Sequence, residues 1–365
     1  SIAGTLQEII TTYIQSNVAW TFDTVADMKA STNLVAGSYA QTLGFHTLND
    51  GGGALYKITN TGTANEMDVI AVDSLFANLV VSVTANPIMF GAYGTGLVDD
   101  SLSIQQCINY GKTHNVTKID GLDKLYLVSD AVTVPDNISS IDELGLYVDY
   151  SLTLCNFKFK LDNGCQSLTS VLNIANPVQT EVLLRNIIID GNSSNQSSAT
   201  SIQDGGLHGI RVGFPNNSAG GVKIEDCYIH DCYTDGINIR PLDFDYMVVS
   251  NTLIEDAGRN GLTDNAKNSI IEKCKFKNNG QRTDPKSSYH IEPNASFDFG
   301  VKTLKDCVIS GSVKAGIACY FNTDSYTMDK FNVINCKSDS INFTGISTNN
   351  TIVNEINIID SEFNG

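Results

Sequence analysis

The chain is poor in positive charge. Lys and Arg together number 23 against 40 Asp and Glu, for a formal net charge of −17 over 365 residues. That balance argues against a nucleic-acid-binding surface. It also lacks any run of 18 or more apolar residues, so nothing reads as a membrane-spanning helix. The opening "SIAGTLQEII" has no basic segment and no initiator Met, so it is not a secretory signal. A processed fragment of a longer protein is the expectation. Nine cysteines are present, an odd number, and no C-x-x-C pair occurs. Neither a full disulfide framework nor a zinc ribbon is favoured, which leaves the cysteines as small buried apolar residues. The triple glycine Gly51–Gly53 is not followed by Lys-Ser or Lys-Thr. It reads as a tight turn before a strand over 54–58 rather than as a phosphate loop.

What is present begins with a helical pattern. Leu6, Ile9, Ile10, Tyr13 and Ile14 share one face over residues 4–17. A lone helix this short is marginal in water and needs a partner. Residues 20–89 are β-rich and punctuated by glycine, as expected of a small module. In "FGAYGTGLVDDSLSIQQCINYG", Phe90–Gly111, a glycine-rich turn leads through Asp99 and Asp100 into a helix. Either Asp can cap its first turn, and Leu102, Ile104, Cys107 and Ile108 supply its buried face. This helix is expected to cap the open end of residues 121–365, within a 90–120 segment of its own.

From residue 184 a pattern recurs: apolar-x-x-Cys-x-apolar-x-(Asp/Asn). It matches "LRNIIIDG", "IEDCYIHD", "VSNTLIED", "IEKCKFKN", "LKDCVISG", "MDKFNVIN" and "VNEINIID". The Cys position is held in turn by Ile187, Cys227, Thr252, Cys274, Cys307, Phe331 and Ile356. Five of the six steps between them fall at 22, 24, 25, 25 and 33 residues, and the first is 40. A second strand follows each of the first six. The two long steps carry insertions in the same turn, 191–207 and 280–287. Strand signals at this period, without helix signals, mean a solenoid of strands. The predicted fold is all-β: a right-handed single-stranded parallel β-helix, one repeat per coil. Cys227, Cys274 and Cys307 then line one interior row, with Ile189, Ile229, Ile254, Phe276, Ile309, Val333 and Ile358 in the next. Residues 120–184 read as less regular coils, with Leu152, Leu154, Phe157 and Phe159 inward.

"GAYGTGLVDDSLSIQQCI" resembles the N-terminal cap signature G-A-x-G-D-G-x-x-D-D-t-x-A-I-q of the pectate-lyase-like superfamily of phage tailspikes and appendages, with Thr95 where that family usually has Asp. "TVADMKASTNLVAGSYAQTLGFHTLNDGGGALYKI", Thr24–Ile58, is similar to the small module that precedes this helix in tailspikes and preneck appendages. The resemblance implies a homotrimer with an N-terminal helical neck over 1–19 and a virion (phage tail) location at the host surface. It also implies phage tail or neck proteins as partners, and a bacterial surface polysaccharide or teichoic acid as target. It gives no reason for nucleic-acid binding or membrane insertion. It further implies that chain follows Gly365, since a solenoid needs a cap.

On a β-helix, function lies on outward positions and flanking loops, because inward positions are packed. The outward ladders of the second strand read Arg211–Asn238–Thr263–His290–Ala318–Asn342 and Gly213–Arg240–Asn265–Glu292–Tyr320–Thr344. Loop 241–246 adds Asp243 and Asp245. Glycan hydrolysis needs two carboxylates about 5–9 Å apart, and stacked coils repeat at about 4.8 Å. Glu292, Asp264 and Asp245 are therefore the catalytic candidates. Asp264 holds an inward slot in "NGLTDN" that other coils fill with Val, Ile, Cys or Phe, and a buried carboxyl with a raised pKa suits a general acid. Arg240, Arg211, His290, Tyr320, Asn238 and Asp243 are the substrate-binding candidates, Arg240 through a bidentate grip on an anionic group. A carboxylate-based hydrolase needs no cofactor and no metal. The competing readings are a lyase using His290 or Tyr320 with a divalent cation on Asp243 and Asp245, a teichoic-acid phosphodiesterase, and a non-enzymatic glycan-binding adhesin or structural tail protein. Scarcity of Lys and Arg over 190–270 favours a neutral glycan or a cation-assisted site.

Overall fold

The computed structural model describes residues 18–81, 83–134, 143–166, 169–174, 181–196, 206–213, 221–242, 246–291, 298–320, 327–344 and 352–364. The predicted neck helix over 4–17 lies outside them. Among the described residues no helix is long and apolar enough to cross a membrane.

The glycine-punctuated segment forms a five-stranded sheet in the order Val18–Phe22, Tyr39–Thr42, Leu55–Thr59, Leu75–Val80, Val69–Val72. The first pair is parallel and the others antiparallel. Helix α1, Val25–Lys29, opens on a capping box in which Thr24 and Asp27 satisfy each other's backbone amides. Gly51 has φ +101°, and a Cβ on Gly52 would stand 2.7 Å from Ile88, so the triple glycine is the tight turn expected.

Helix α2, Ser101–His114, buries Ile104, Cys107 and Ile108 as expected, but Leu102 is 55% exposed. Gln105 and Tyr110 complete the buried face instead. Neither Asp caps the helix in the simple way. Asp99 Oδ1 accepts from the amide of Ser101, whereas Asp100 turns back to accept from the amides of Tyr93 (2.7 Å) and Gly94 (3.1 Å). The acidic pair thus ties the glycine-rich turn to the helix start.

The solenoid begins with Thr84–Ala85 and Thr95–Asp99, which pair with Lys118–Asp120 and Leu125–Val128. Leu152–Leu161 and Val182–Asp190 run on as single strands, but from Val222 to Thr344 each coil has three strands, not two. The opening strand of the repeat is broken by a residue in the left-handed region: Asp226, Asn251, Lys273, Asp306, Asn335 and Asp360 all have φ between 46° and 56°. Val222–Glu225 and Tyr228–His230 are therefore separate strands. A second left-handed corner follows at Asp231, Asp256, Asn278 and Gly311. This explains the Asp/Asn that ends the repeat, since short polar side chains and glycine tolerate that backbone best. At the first corner the side chains stack between coils. Asn186 donates to Asn156 (2.8 Å), Asn251 to Asp226 (2.7 Å) and Asn335 to Asp306 (2.7 Å).

The third strands stack in a nine-stranded sheet running through Glu143–Val148, Thr169–Ile174, Ile210–Val212, Ile237–Leu242, Leu262–Ala266, Ser287–Ile291, Ala315–Tyr320 and Ile341–Thr344, with Thr133–Val134 at its edge. All pairings beyond that antiparallel edge are parallel. Leu152, Leu154, Phe157 and Phe159 face inward, as expected. Each such fully buried side chain contributes about 1.5–3 kcal/mol.

The last two repeats are placed differently from the sequence alignment. Phe331 pairs with Lys302 and Val333 with Leu304, so "MDKFNVIN" belongs to the first strand of its coil. Val308 pairs with Lys337, which puts Cys336 after Cys307 and Ser338 after Ile309. Likewise Ile356 pairs with Phe331 and Ile358 with Val333. Two apolar strands of the same period look alike in sequence, and only the corner between them tells them apart.

All nine cysteines are free and buried. Burial pushes the Cys227 thiol up to about 12. Contact with the Cys274 thiol, together with burial, does the same for Cys307, which also touches Cys336. Because thiolates are the reactive form, the folded protein is expected to resist an aromatic disulfide reagent and to titrate nine thiols in guanidinium. Rapid labelling of any native thiol would contradict this packing.

Candidate functional site

The predicted outward ladder is in register. Arg211 pairs with Asn238, Asn238 with Thr263, Thr263 with His290, His290 with Ala318 and Ala318 with Asn342. It is not a bare face, however. Arg211, Asn238, Thr263 and His290 are all buried. Asn238 donates to Asp235 (2.7 Å), as does the Thr263 hydroxyl (2.8 Å). Arg259 grips the same carboxylate through Nε (2.7 Å) and a terminal nitrogen (2.6 Å). Asp235, Arg259 and His208 sit on neighbouring coils, all nearly inaccessible. Burial alone would raise the Asp235 carboxyl, but Arg259 outweighs it and holds the group well below the usual carboxylate range. Sequence reading missed this network because Asp235-Gly236 looks like an ordinary turn.

The other predicted residues fare as follows. His290 packs its ring 5.2 Å from that of Tyr320, which is half-buried. Arg240 lies in the strand Ile237–Leu242, where the pairing to the next coil slips between Ile239 and Leu242. Its side chain, like Glu292, Asp243 and Asp245 as a whole, lies outside the described residues. Asp264 is inward, as its slot implied, but it has no exposed surface. Its carboxylate pairs with Lys302 Nζ at 2.8 Å and accepts from Tyr289 Oη and Ser269 Oγ, each at 2.6 Å. A carboxylate enclosed this way cannot touch a glycan, so the expected general-acid role gives way to that of a core counter-ion. Lys302 was not foreseen because its slot becomes visible only once the coil register is known.

The structure brings accessible carboxylates together elsewhere, at the second corner of the coil. Asp190, His230 and Glu255 are register partners on three consecutive coils. Asp231 and Asp256 occupy the left-handed corner positions beside them. The His230 ring stacks on Tyr228 at 4.4 Å and 22°, and its Nδ1 lies 2.7 Å from Asp231. Tyr228 donates its hydroxyl to Glu255, which also meets Lys277 Nζ at 3.2 Å. These contacts, led by Tyr228, hold Glu255 below its ordinary value against the opposing effect of burial. Asp256 is displaced the other way: burial raises it first, and the neighbouring charges of Glu255 and Asp231 add to the shift. Two adjacent carboxyls with opposite displacements are the pattern of an acid–base pair. Asp190, His230 and Asp231 each offer a donor atom within 4.8 Å of the others. Two carboxylates and an imidazole suit a borderline divalent ion such as zinc better than calcium. The described start of the first insertion, 191–196, and the second, 280–287, border this corner. Arg282 of 280–287 stacks 4.6 Å over the Tyr233 ring and donates to Ser193.

A model for a right-handed β-helix region matches residues 180–330. No curated protein matches by sequence. Among solved structures, tailspike protein 2 of the Escherichia coli O157:H7 bacteriophage CAB120 is 15% identical with a TM-score of 0.51, the match covering 94% of this chain and 46% of that one. Tailspike protein gp49 of Acinetobacter baumannii bacteriophage Fri1, a capsular polysaccharide depolymerase, is 12% identical with a TM-score of 0.53, covering 94% and 69%. The mannuronan C-5 epimerase AlgE4 A-module of Azotobacter vinelandii is 17% identical with a TM-score of 0.51, covering 76% of each chain. The chain thus spans less than half the length of the first of these tailspikes. Strand order, parallel register and these likenesses agree: this chain has the right-handed parallel β-helix fold that phage tailspikes share.

Proposed function

We propose that this protein binds a bacterial surface glycan and cleaves it by carboxylate-based hydrolysis at the second coil corner. The observation that carries the reading is the stacking of accessible carboxylates on successive coils, Asp190, Asp231, Glu255 and Asp256, beside the Tyr228–His230 ring stack. The opposite displacements of Asp256 and Glu255 assign the roles. Asp256 stays protonated longer than an ordinary Asp and serves as general acid to the glycosidic oxygen. Glu255 stays ionised and activates water or supports the developing positive charge. The stacked rings offer an apolar platform for a sugar face. Among the described residues the corner is acidic, with Asp190, Asp231, Glu255 and Asp256 against Lys277 and, on the bordering turn, Arg282. A polyanionic polymer is repelled by such a surface, so the substrate is a glycan segment without negative charge. The polysaccharide-acting relatives of the same fold support the class of substrate, and assembly as a homotrimer on a phage tail belongs to the same reading.

The test is to incubate the protein with host envelope polysaccharide and with teichoic acid, then to analyse the products by mass spectrometry. New reducing ends are expected. Unsaturated uronates would replace hydrolase by lyase, and phosphate-terminated oligomers would replace it by phosphodiesterase. Tight binding without fragments would sink the enzymatic reading and leave an adhesin.

A further inference from the structure

The interior of a β-helix coil is apolar almost throughout, which makes one polar island informative. Val222, Met247, Ser269, Lys302 and Phe331 form one inward row on successive coils. Facing it from the third strands are Asp264 and Tyr289. Lys302, Asp264 and Tyr289 have no exposed surface. The Lys302 ammonium stands 2.8 Å from Asp264 Oδ1, 2.6 Å from the Ala266 carbonyl and 4.9 Å from the Phe299 ring centroid. Two charges kept this dry are costly to maintain as ions. An amide between them removes both charges and releases one water.

We propose that Lys302 and Asp264 condense to an intramolecular amide that covalently ties two coils together. The sequence of events balances without any co-reactant. A proton passes from Lys302 Nζ to Asp264 Oδ1 across their 2.8 Å hydrogen bond, giving a neutral amine and a neutral acid. The nitrogen lone pair attacks Cγ, the C–N bond forms, and the carbonyl electrons move onto Oδ2. Tyr289 Oη and Ser269 Oγ both donate to Oδ2 at 2.6 Å, where they stabilise the tetrahedral oxyanion. Collapse restores the carbonyl at Oδ2. The C–Oδ1 bond breaks, and Oδ1 leaves as water carrying its own proton and one from the nitrogen. The Ala266 carbonyl accepts from Nζ and orients it throughout. Burial holds the Lys302 ammonium below the ordinary lysine range, which favours the reactive amine. It also holds the Tyr289 phenol well above its ordinary range, so it remains a donor. Fixed neighbours of this kind react with effective molarities of about 10⁵–10⁸ M.

The experiment is the intact mass of the purified, folded protein. It is expected to fall about 18 Da, one water, below the mass of the free chain. Digestion should yield one branched peptide joining residues 264 and 302, with trypsin unable to cut after Lys302. Asp264→Asn should give the same branched peptide through loss of ammonia, about 17 Da. Lys302→Arg should keep its full mass. A folded wild-type chain of full mass overturns the proposal. So does a water loss mapped elsewhere, for example to a succinimide at Asp235-Gly236.

Discussion

Asp256→Asn is expected to lower kcat by about 10²–10⁴-fold with little change in KM, because proton donation acts only in the transition state. Glu255→Gln should fall in the same range. The double variant should lose little more than either single one, since two groups acting as a unit are not additive. The pH profile carries the sign of the two displacements. Glu255 is held low and must be ionised, so activity falls as pH drops through its value. Asp256 is held high and must be protonated, so activity falls as pH rises through its value. The two limits enclose a bell-shaped profile with its optimum on the acidic side of neutrality. Tyr228→Phe removes the donor that lowers Glu255, and should move the acidic limb to higher pH while leaving the alkaline limb in place. Steady-state kinetics on a soluble oligosaccharide across pH checks all of this. If Asp256→Asn and Glu255→Gln keep full activity, the corner is not the active site.

Arg259→Ala is expected to cost about 3–5 kcal/mol of folding stability, the usual result of leaving a buried charge unpaired. Asp235 would lose both guanidinium contacts while remaining fully enclosed. Asp235→Ala should cost at least as much, because the Asn260 amide, the Asn238 side chain and the Thr263 hydroxyl lose their acceptor together with Arg259. The pH dependence follows from the low folded value of Asp235. A depressed carboxyl contributes its full stability above its unfolded pKa of about 3.9, and that contribution drains away as pH falls toward the folded value. Urea midpoints from pH 7 down to pH 2 should therefore fall steeply in the wild type and less steeply in Arg259→Ala. Equal slopes, or a loss below about 1 kcal/mol, would mean that the pair is compensated in some other way.

How much of this is written in the sequence differs by level. The repeat carries the solenoid, because every coil must put an apolar row inside and turn at a left-handed corner. Both demands leave marks at a fixed period: Cys227, Ile229 and Asp231 in one coil, Cys274, Phe276 and Asn278 in another. The outward ladder from Arg211 to His290 was legible for the same reason, since register follows once glycine positions are aligned. Three matters were decided only by tertiary structure. Whether an outward residue meets solvent depends on what lies over it, and Arg211, Asn238 and His290 are covered. Whether a polar residue in an apolar slot is a reactive acid or a core ion depends on the slot opposite, and Asp264 faces Lys302, which is 38 residues away in sequence. Which strand a lone apolar run belongs to depends on the corner before it, as Phe331 and Cys336 make plain. Periodicity is a local property of the chain, whereas burial and charge pairing are set by contacts between coils, and those exist only after the solenoid has wound.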